Sequence, residues 1–176
     1  DGGAVNVFDL DNVDLAKIEY GKISRDAGHA AYKAVEKVIQ LALAKKIDAT
    51  VTGPINKESI NLAGFYYSGH TEIYAALTNT PDVAMLLVHG NLRIIHVTTH
   101  VSLRNACDLI KKERIVKVIR LLHDACLSFG VMSPKIGVAG LNPHASDGGL
   151  FGDEEKEEIL RALEQARALG IDADGP

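Results

Sequence analysis

Apolar positions recur along this chain at two different periods, and the switches between them lay out its elements. From Ser24 onward Ala31, Val35, Val38, Ile39 and Ala42 share one helical face, and Lys45-Lys46 follow where cations suit the negative end of a helix. A second and clearer stripe runs through Ile115, Val118, Ile119, Leu122, Ala125, Cys126 and Phe129 and closes at Gly130; a third carries Ile159, Leu163 and Ala166 before Gly170. Shorter helices are predicted over Asn56–Ala63, ending near Gly64, over His70–Leu77, and after Thr98-Thr99-His100. Strand signals fall on Ile47–Thr52, stopped by Gly53-Pro54, on Val83–Val88, Leu92–Val97 and Ile136–Leu141, and, as a weakly alternating edge strand, on Ala4–Leu10.

Only His89-Gly90-Asn91 separates the two central strands, too short a link for a parallel crossover, so they should pair antiparallel. Strands alternating with helices of this length otherwise argue for parallel neighbours. The fold class expected is therefore α/β, three-layer α/β/α with a mixed sheet and helices on both faces. The polar, Asp- and Asn-rich stretch after Leu10 reads as a connection, and the start looks cut from something longer.

Composition narrows the function classes. With 176 residues, 47% hydrophobic and 24% charged, the chain can bury a core; a net charge of −4 gives no basic face for nucleic acid or an anionic membrane. No apolar run reaches the ~18 residues of a membrane span, and no basic-then-apolar leader pattern opens the sequence, so a cytoplasmic protein is expected. Cys107 and Cys126 lie in helical patterns without metal-type spacing and read as buried thiols.

Candidate chemistry gathers where strands should end. Asn142-Pro143-His144, then Gly148-Gly149 and an acidic helix start, follow the strand from Ile136; Pro143 biases Asn142 toward an extended conformation and stiffens the approach to His144. Thr98-Thr99-His100 and Thr52-Gly53-Pro54 with Asn56-Lys57 stand at two other strand exits, and parallel strands would bring such loops to one edge. His100 and His144 are the best pair of metal ligands, although loop hydrogen bonding would explain either one. Ser68-Gly69-His70-Thr71-Glu72 opens a helix, where free N–H groups with Thr71 and His70 suit a phosphate or carboxylate; plain capping by Ser68 or Thr71 would explain the same residues. Asp153 through Glu158 reads as a solvated acidic helix start, and the glycines at 148, 149 and 152 do not make a dinucleotide-binding fingerprint.

In series, Thr52-Gly53-Pro54-Ile55-Asn56-Lys57-Glu58, Gly69-His70-Thr71-Glu72, Thr98-Thr99-His100 and Gly140-Leu141-Asn142-Pro143-His144 with Asp147-Gly148-Gly149 resemble the motifs of the 4-hydroxythreonine-4-phosphate dehydrogenase family of pyridoxine biosynthesis. Their order and spacing match across almost the whole chain. The resemblance implies an isocitrate/isopropylmalate dehydrogenase-like subunit, a homodimer, and oxidation with decarboxylation of 4-phosphooxy-threonine. It further implies NAD (or NADP) and a divalent metal (Zn, Mg or Co) held by three histidines, two of which match His100 and His144. His70 and Thr71 match the substrate-phosphate contacts, and Lys57 is a weaker candidate for an electrostatic role.

Family members are about twice as long, so residues 1–176 are expected to be the central part of a two-domain subunit. On that expectation the glycine-rich first strand, the third metal histidine, a substrate lysine and arginine and the cofactor residues lie outside the sequence. Ser146-Asp147 stands where some members have Gly-Glu, and Leu150 where some have His. A 4-phospho-D-threonate or D-erythronate dehydrogenase fits the same motifs, as does a non-catalytic phosphate-binding module of the same fold.

Overall fold

The structure, a computed structural model, describes residues 3–176, which divide into two compact units, one ending at Pro81 and one starting at Asp82. In the first unit the long helix α1 spans Arg25–Leu43 and is followed by α2, Lys57–Leu62, and α3, His70–Leu77. Ser24 caps α1 by accepting from the Ala27 N–H at 3.2 Å, and Asn56 caps α2 through the Ser59 N–H at 2.8 Å. The core stacks Tyr32 on Phe65, ring centroids 3.6 Å apart, and packs Val35, Ile39, Ile60 and Ile73 around them. Burial and the neighbouring Tyr67 push the Tyr32 hydroxyl up to about 12.

The face α1 buries is rotated from the expected one. Gly28, Ala30, Tyr32, Val35 and Ile39 are buried, whereas Ala31, Val38 and Ala42 are half-buried. The reason is Gly28, which lets α2 approach until a Cβ at that position would fall inside the Ser59 carbonyl. The Ser24 N–H reaches the Ser59 hydroxyl at 3.2 Å across the same contact.

Neither strand expected in this unit forms. Residues 47–52 and 4–10 are irregular, with Val51 98% and Val5 92% exposed, because among the described residues no partner strand pairs with either. Gly53-Pro54 and Lys57 consequently do not follow a strand; Lys57 is the first residue of α2 rather than a loop residue.

The second unit opens with the antiparallel hairpin β1, Leu86–His89, and β2, Leu92–Ile95, in the register Leu86↔Ile95. Its two-residue turn has Gly90 at φ 56°, the left-handed conformation a tight hairpin needs at its first central residue. Helix α4, Leu103–Leu109, is capped by Ser102, and α5, Lys112–Ser128, carries the expected stripe. Arg114 of α5 donates to the carbonyls of Val97 and Val83, each at 3.0 Å, and so ties the helix to both flanks of the hairpin.

Strand β3, Lys135–Gly137, pairs in parallel with β4, Asp172–Asp174, after helix α6, Leu160–Ala168. Ile115, Ile119, Leu122 and Cys126 of α5 pack with Ile136, Leu163, Ala166 and Ala173 in one core. Strand β4 went unread in the sequence because only Ala173 of its three residues is buried. Arg167 holds it, donating to the Ala173 carbonyl and the Asp174 carboxylate at 2.8 Å each. The α/β class stands, with antiparallel and parallel pairings in two separate two-stranded ladders. Cys126 is buried as expected, but Cys107 is exposed, since α4 buries no residue; both thiols are free. Among the described residues no helix is long and apolar enough to cross a membrane.

Gly28→Ala tests the helix contact. The added methyl has no room, and overpacking of this kind costs about 1–3 kcal/mol. A lower urea midpoint, with the helical signal of the folded state retained, is the expected result; an unchanged midpoint would show that α2 can retreat freely.

Candidate functional site

Two groups of predicted residues lie in different units. In the first unit, α3 begins at His70 after an extended Gly69, and no side chain caps it: neither Ser68 nor Thr71 does so. Its first N–H groups are left to an external acceptor, with Thr71, half-buried, in the first turn. His70 Nε2 and Glu72 Oε2 are buried without a protein hydrogen-bond partner. A Cβ placed on Gly69 would stand 3.4 Å from Glu72 Oε2 and 4.0 Å from Lys57 Cε, so the exposed Lys57 brings a cation close to this helix start. The arrangement can accept an anion, with Lys57 opposing the negative charge of Glu72.

In the second unit the chain leaves β3 through Val138, whose N–H donates to the Asp174 carbonyl at 2.8 Å, and Asn142 is extended (φ −90°, ψ 159°) as the following proline requires. Then the backbone turns left-handed for an unusual length: His144, Ala145, Ser146 and Asp147 have φ of 52°, 51°, 65° and 45°. His144 is exposed, its ring 6.5 Å from that of Phe151. His100 is likewise exposed and left-handed, at φ 57°.

Glu155 anchors this segment, and the sequence reading of a solvated acidic stretch is wrong for it. The side chain is 3% exposed. Its Oε1 accepts from the Leu141 and Asn142 backbone N–H groups at 2.8 and 2.6 Å, and its Oε2 from Asn142 Nδ2 at 2.9 Å and from the Ser146 hydroxyl. Burial pushes this carboxyl up, but the hydrogen bonds from Ser146 and Asn142 outweigh burial and hold it down at about 2. The signal was present in the sequence: Glu155 lies four and eight residues before Ile159 and Leu163, on the stripe that α6 buries. A π-helical turn over Glu155–Ile159 leads into that helix. Glu158, also read as solvated, instead caps α5, accepting from the Lys112 N–H at 2.7 Å and from Lys111 Nζ at 3.0 Å.

Among the described residues no three His, Cys, Asp or Glu side chains converge as a metal group requires. Among the described residues, then, the donors present do not make a complete metal site.

The backbone that carries these residues is similar to that of 4-hydroxythreonine-4-phosphate dehydrogenase of Klebsiella pneumoniae, which superposes with a TM-score of 0.87 at 41% identity, over 94% of this chain and 50% of that one. Among curated proteins, relatives in Oceanobacillus iheyensis and Fusobacterium nucleatum, both provisionally named D-threonate 4-phosphate dehydrogenase, are 47% and 45% identical over 99% of the chain. Residues 2–176 match the family described as pyridoxal phosphate biosynthetic protein PdxA, and the chain belongs to that family. The chain spans about half the length of the curated relatives it matches, 52% of each of these two.

The Glu155 carboxyl is depressed in the folded chain, from an ordinary 4.5 to about 2. Its stabilisation is therefore complete above pH ~4.5 and is lost as pH falls toward 2, a contribution of order 3 kcal/mol. The gap in urea midpoint between wild type and Glu155→Gln should be widest near pH 7 and close between pH ~5 and ~2. A gap independent of pH would contradict a buried, ionised Glu155.

Proposed function

We propose that the whole protein oxidises the secondary alcohol of a short 4-phosphorylated hydroxy acid: hydride passes to NAD, a proton leaves the hydroxyl, and the resulting 3-keto acid loses CO2. Family membership supports this reading, and the single structural observation that carries it is the uncapped start of α3 with His70 and Thr71 upon it. On this reading the first N–H groups of α3, the Thr71 hydroxyl and His70 bind the phosphate, away from the reacting carbon. Binding energy gained there can position the alcohol for hydride loss. Lys57 adds electrostatic attraction beside Gly69. A divalent metal would supply Lewis-acid polarisation of the hydroxyl. His100 and His144 are proposed as two of its ligands, each presented from an exposed left-handed loop position, and a further donor is required. The isocitrate/isopropylmalate dehydrogenase-like architecture, the homodimer and the cytoplasmic location belong to the same proposal.

The relatives' names divide between 4-hydroxythreonine 4-phosphate and D-threonate 4-phosphate, so the substrate is proposed at the level they share, a four-carbon acid phosphorylated at C4. One observation favours a second reading, a phosphate-binding module without redox chemistry: no three metal donors converge among the described residues.

Two experiments on the full-length protein separate these. Thr71→Val should raise KM for the phosphorylated substrate, since a hydrogen bond to a charged group contributes about 1.5–3 kcal/mol, while metal content stays unchanged. Equal turnover of substrate with and without its phosphate in the wild type would overturn the phosphate assignment. His100→Ala and His144→Ala should each lose metal and NAD reduction while retaining phosphate binding; stoichiometric metal and normal turnover in both would leave the two histidines as loop residues.

A further inference from the structure

We propose that Glu155 is the positioning residue of the His144 loop: its buried carboxylate fixes the left-handed backbone that presents the His144 imidazole. The inference rests on the reading of His144 as a site residue. Four donors converge on this one carboxylate, from Leu141, Asn142 (backbone and side chain) and Ser146, which bracket His144 on both sides. Asn142 is held a second time, by Glu154 Oε2 at 2.8 Å. No other hydrogen bond to a side chain reaches the loop from outside it among the described residues.

Packing leaves the loop no slack around this anchor. A Cβ on Gly140 would stand 3.4 Å from both Glu155 Oε1 and the Ala145 Cα, and one on Gly152 would stand 2.8 Å from Asn142 Nδ2. Among the described residues the His144 side chain makes no hydrogen bond, and its ring lies 6.5 Å from that of Phe151. A left-handed conformation is unfavourable in a residue with a Cβ, so four in succession need support, and the 3-10 turn they form over Pro143–Gly149 supplies part of it from within. From outside the loop the Glu155 carboxylate supplies the rest, gripping residues on either side of His144. Glu155 opens the π-helical turn that leads into α6, and the buried Ile159 and Leu163 that follow tie that turn to the core.

The test uses the full-length protein with Glu155→Ala, Glu155→Gln and Ser146→Ala. Glu155→Ala should lower kcat about 100-fold, as misplacement by about an ångström can, with KM for the phosphorylated substrate nearly unchanged. Its His144 imidazole resonances should shift and broaden. Glu155→Gln keeps one oxygen for the two backbone N–H groups but sets an amide against Asn142 Nδ2, so it should recover part of the lost kcat. If Glu155→Ala does not fold, Ser146→Ala decides: shifted His144 resonances and a lowered kcat support the proposal. Wild-type kcat and unmoved His144 resonances in either folded variant overturn it. The companion variant His144→Ala separates the two readings. Normal turnover there defeats the assignment of His144 to the site, and the resonances of the Glu155 variants still decide whether Glu155 fixes the loop.

Discussion

The second unit depends on one buried negative charge. An isolated carboxylate inside a protein would normally protonate rather than accept the loss of solvent. Glu155 stays ionised because the chain wraps back and supplies donors, and the wrapping is the loop itself. The dependence runs both ways. Together with the 3-10 turn over Pro143–Gly149 the charge holds residues 144–147 in left-handed conformations, and those conformations turn the Ser146 hydroxyl back to the carboxylate. Hydrogen bonds to a charged group contribute about 1.5–3 kcal/mol each, comparable to the roughly 1–2 kcal/mol each left-handed residue costs, so the two offset at similar magnitude.

The first unit solves a different problem by removal rather than addition. Gly28 removes a side chain so that α2 can lie against α1, and that close approach fixes which stripe of α1 is buried. Likewise α3 lacks the capping side chain that Ser24, Asn56 and Ser102 give to α1, α2 and α4. A capped helix start is satisfied internally and has nothing to offer an anion; an uncapped one bearing a threonine and an unpartnered histidine nitrogen does.

What the sequence disclosed and what it hid follow one physical line. Helices α1, α5 and α6 were legible because each writes apolar positions into a 3.6-residue period, α3 from its helix-start residues, and the hairpin because its link is too short for a parallel crossover. The strands at 4–10 and 47–52 failed because β structure is completed by a partner, and a β-branched run says nothing of whether one pairs with it. Glu155 and Glu158 were misread since composition counts a glutamate as solvated; only its phase on the helix, or the donors folded against it, shows otherwise. The motif histidines His70, His100 and His144 were legible as candidates, through residue type beside glycine, proline and helix starts. Their geometry was not, because a left-handed run of four residues with side chains has no propensity signature.

That run bears on how much weight the two loop histidines can carry. Non-glycine residues at positive φ usually have a local cause: Lys45 and Asn79 each stand just beyond the last residues of a helix, where the left-handed conformation ends it. Asp11 lies in the polar stretch before α1, and aspartate tolerates this region. What remains is His100 and the segment His144–Asp147, the latter inside the 3-10 turn Pro143–Gly149. Of the seven histidines, these two alone among the described residues are left-handed, and they are the two that motif and position had already singled out. Strain of this kind persists where the surrounding structure enforces it. The left-handed backbone at His100 and His144 thus supports their proposed role on an observation separate from the sequence motif.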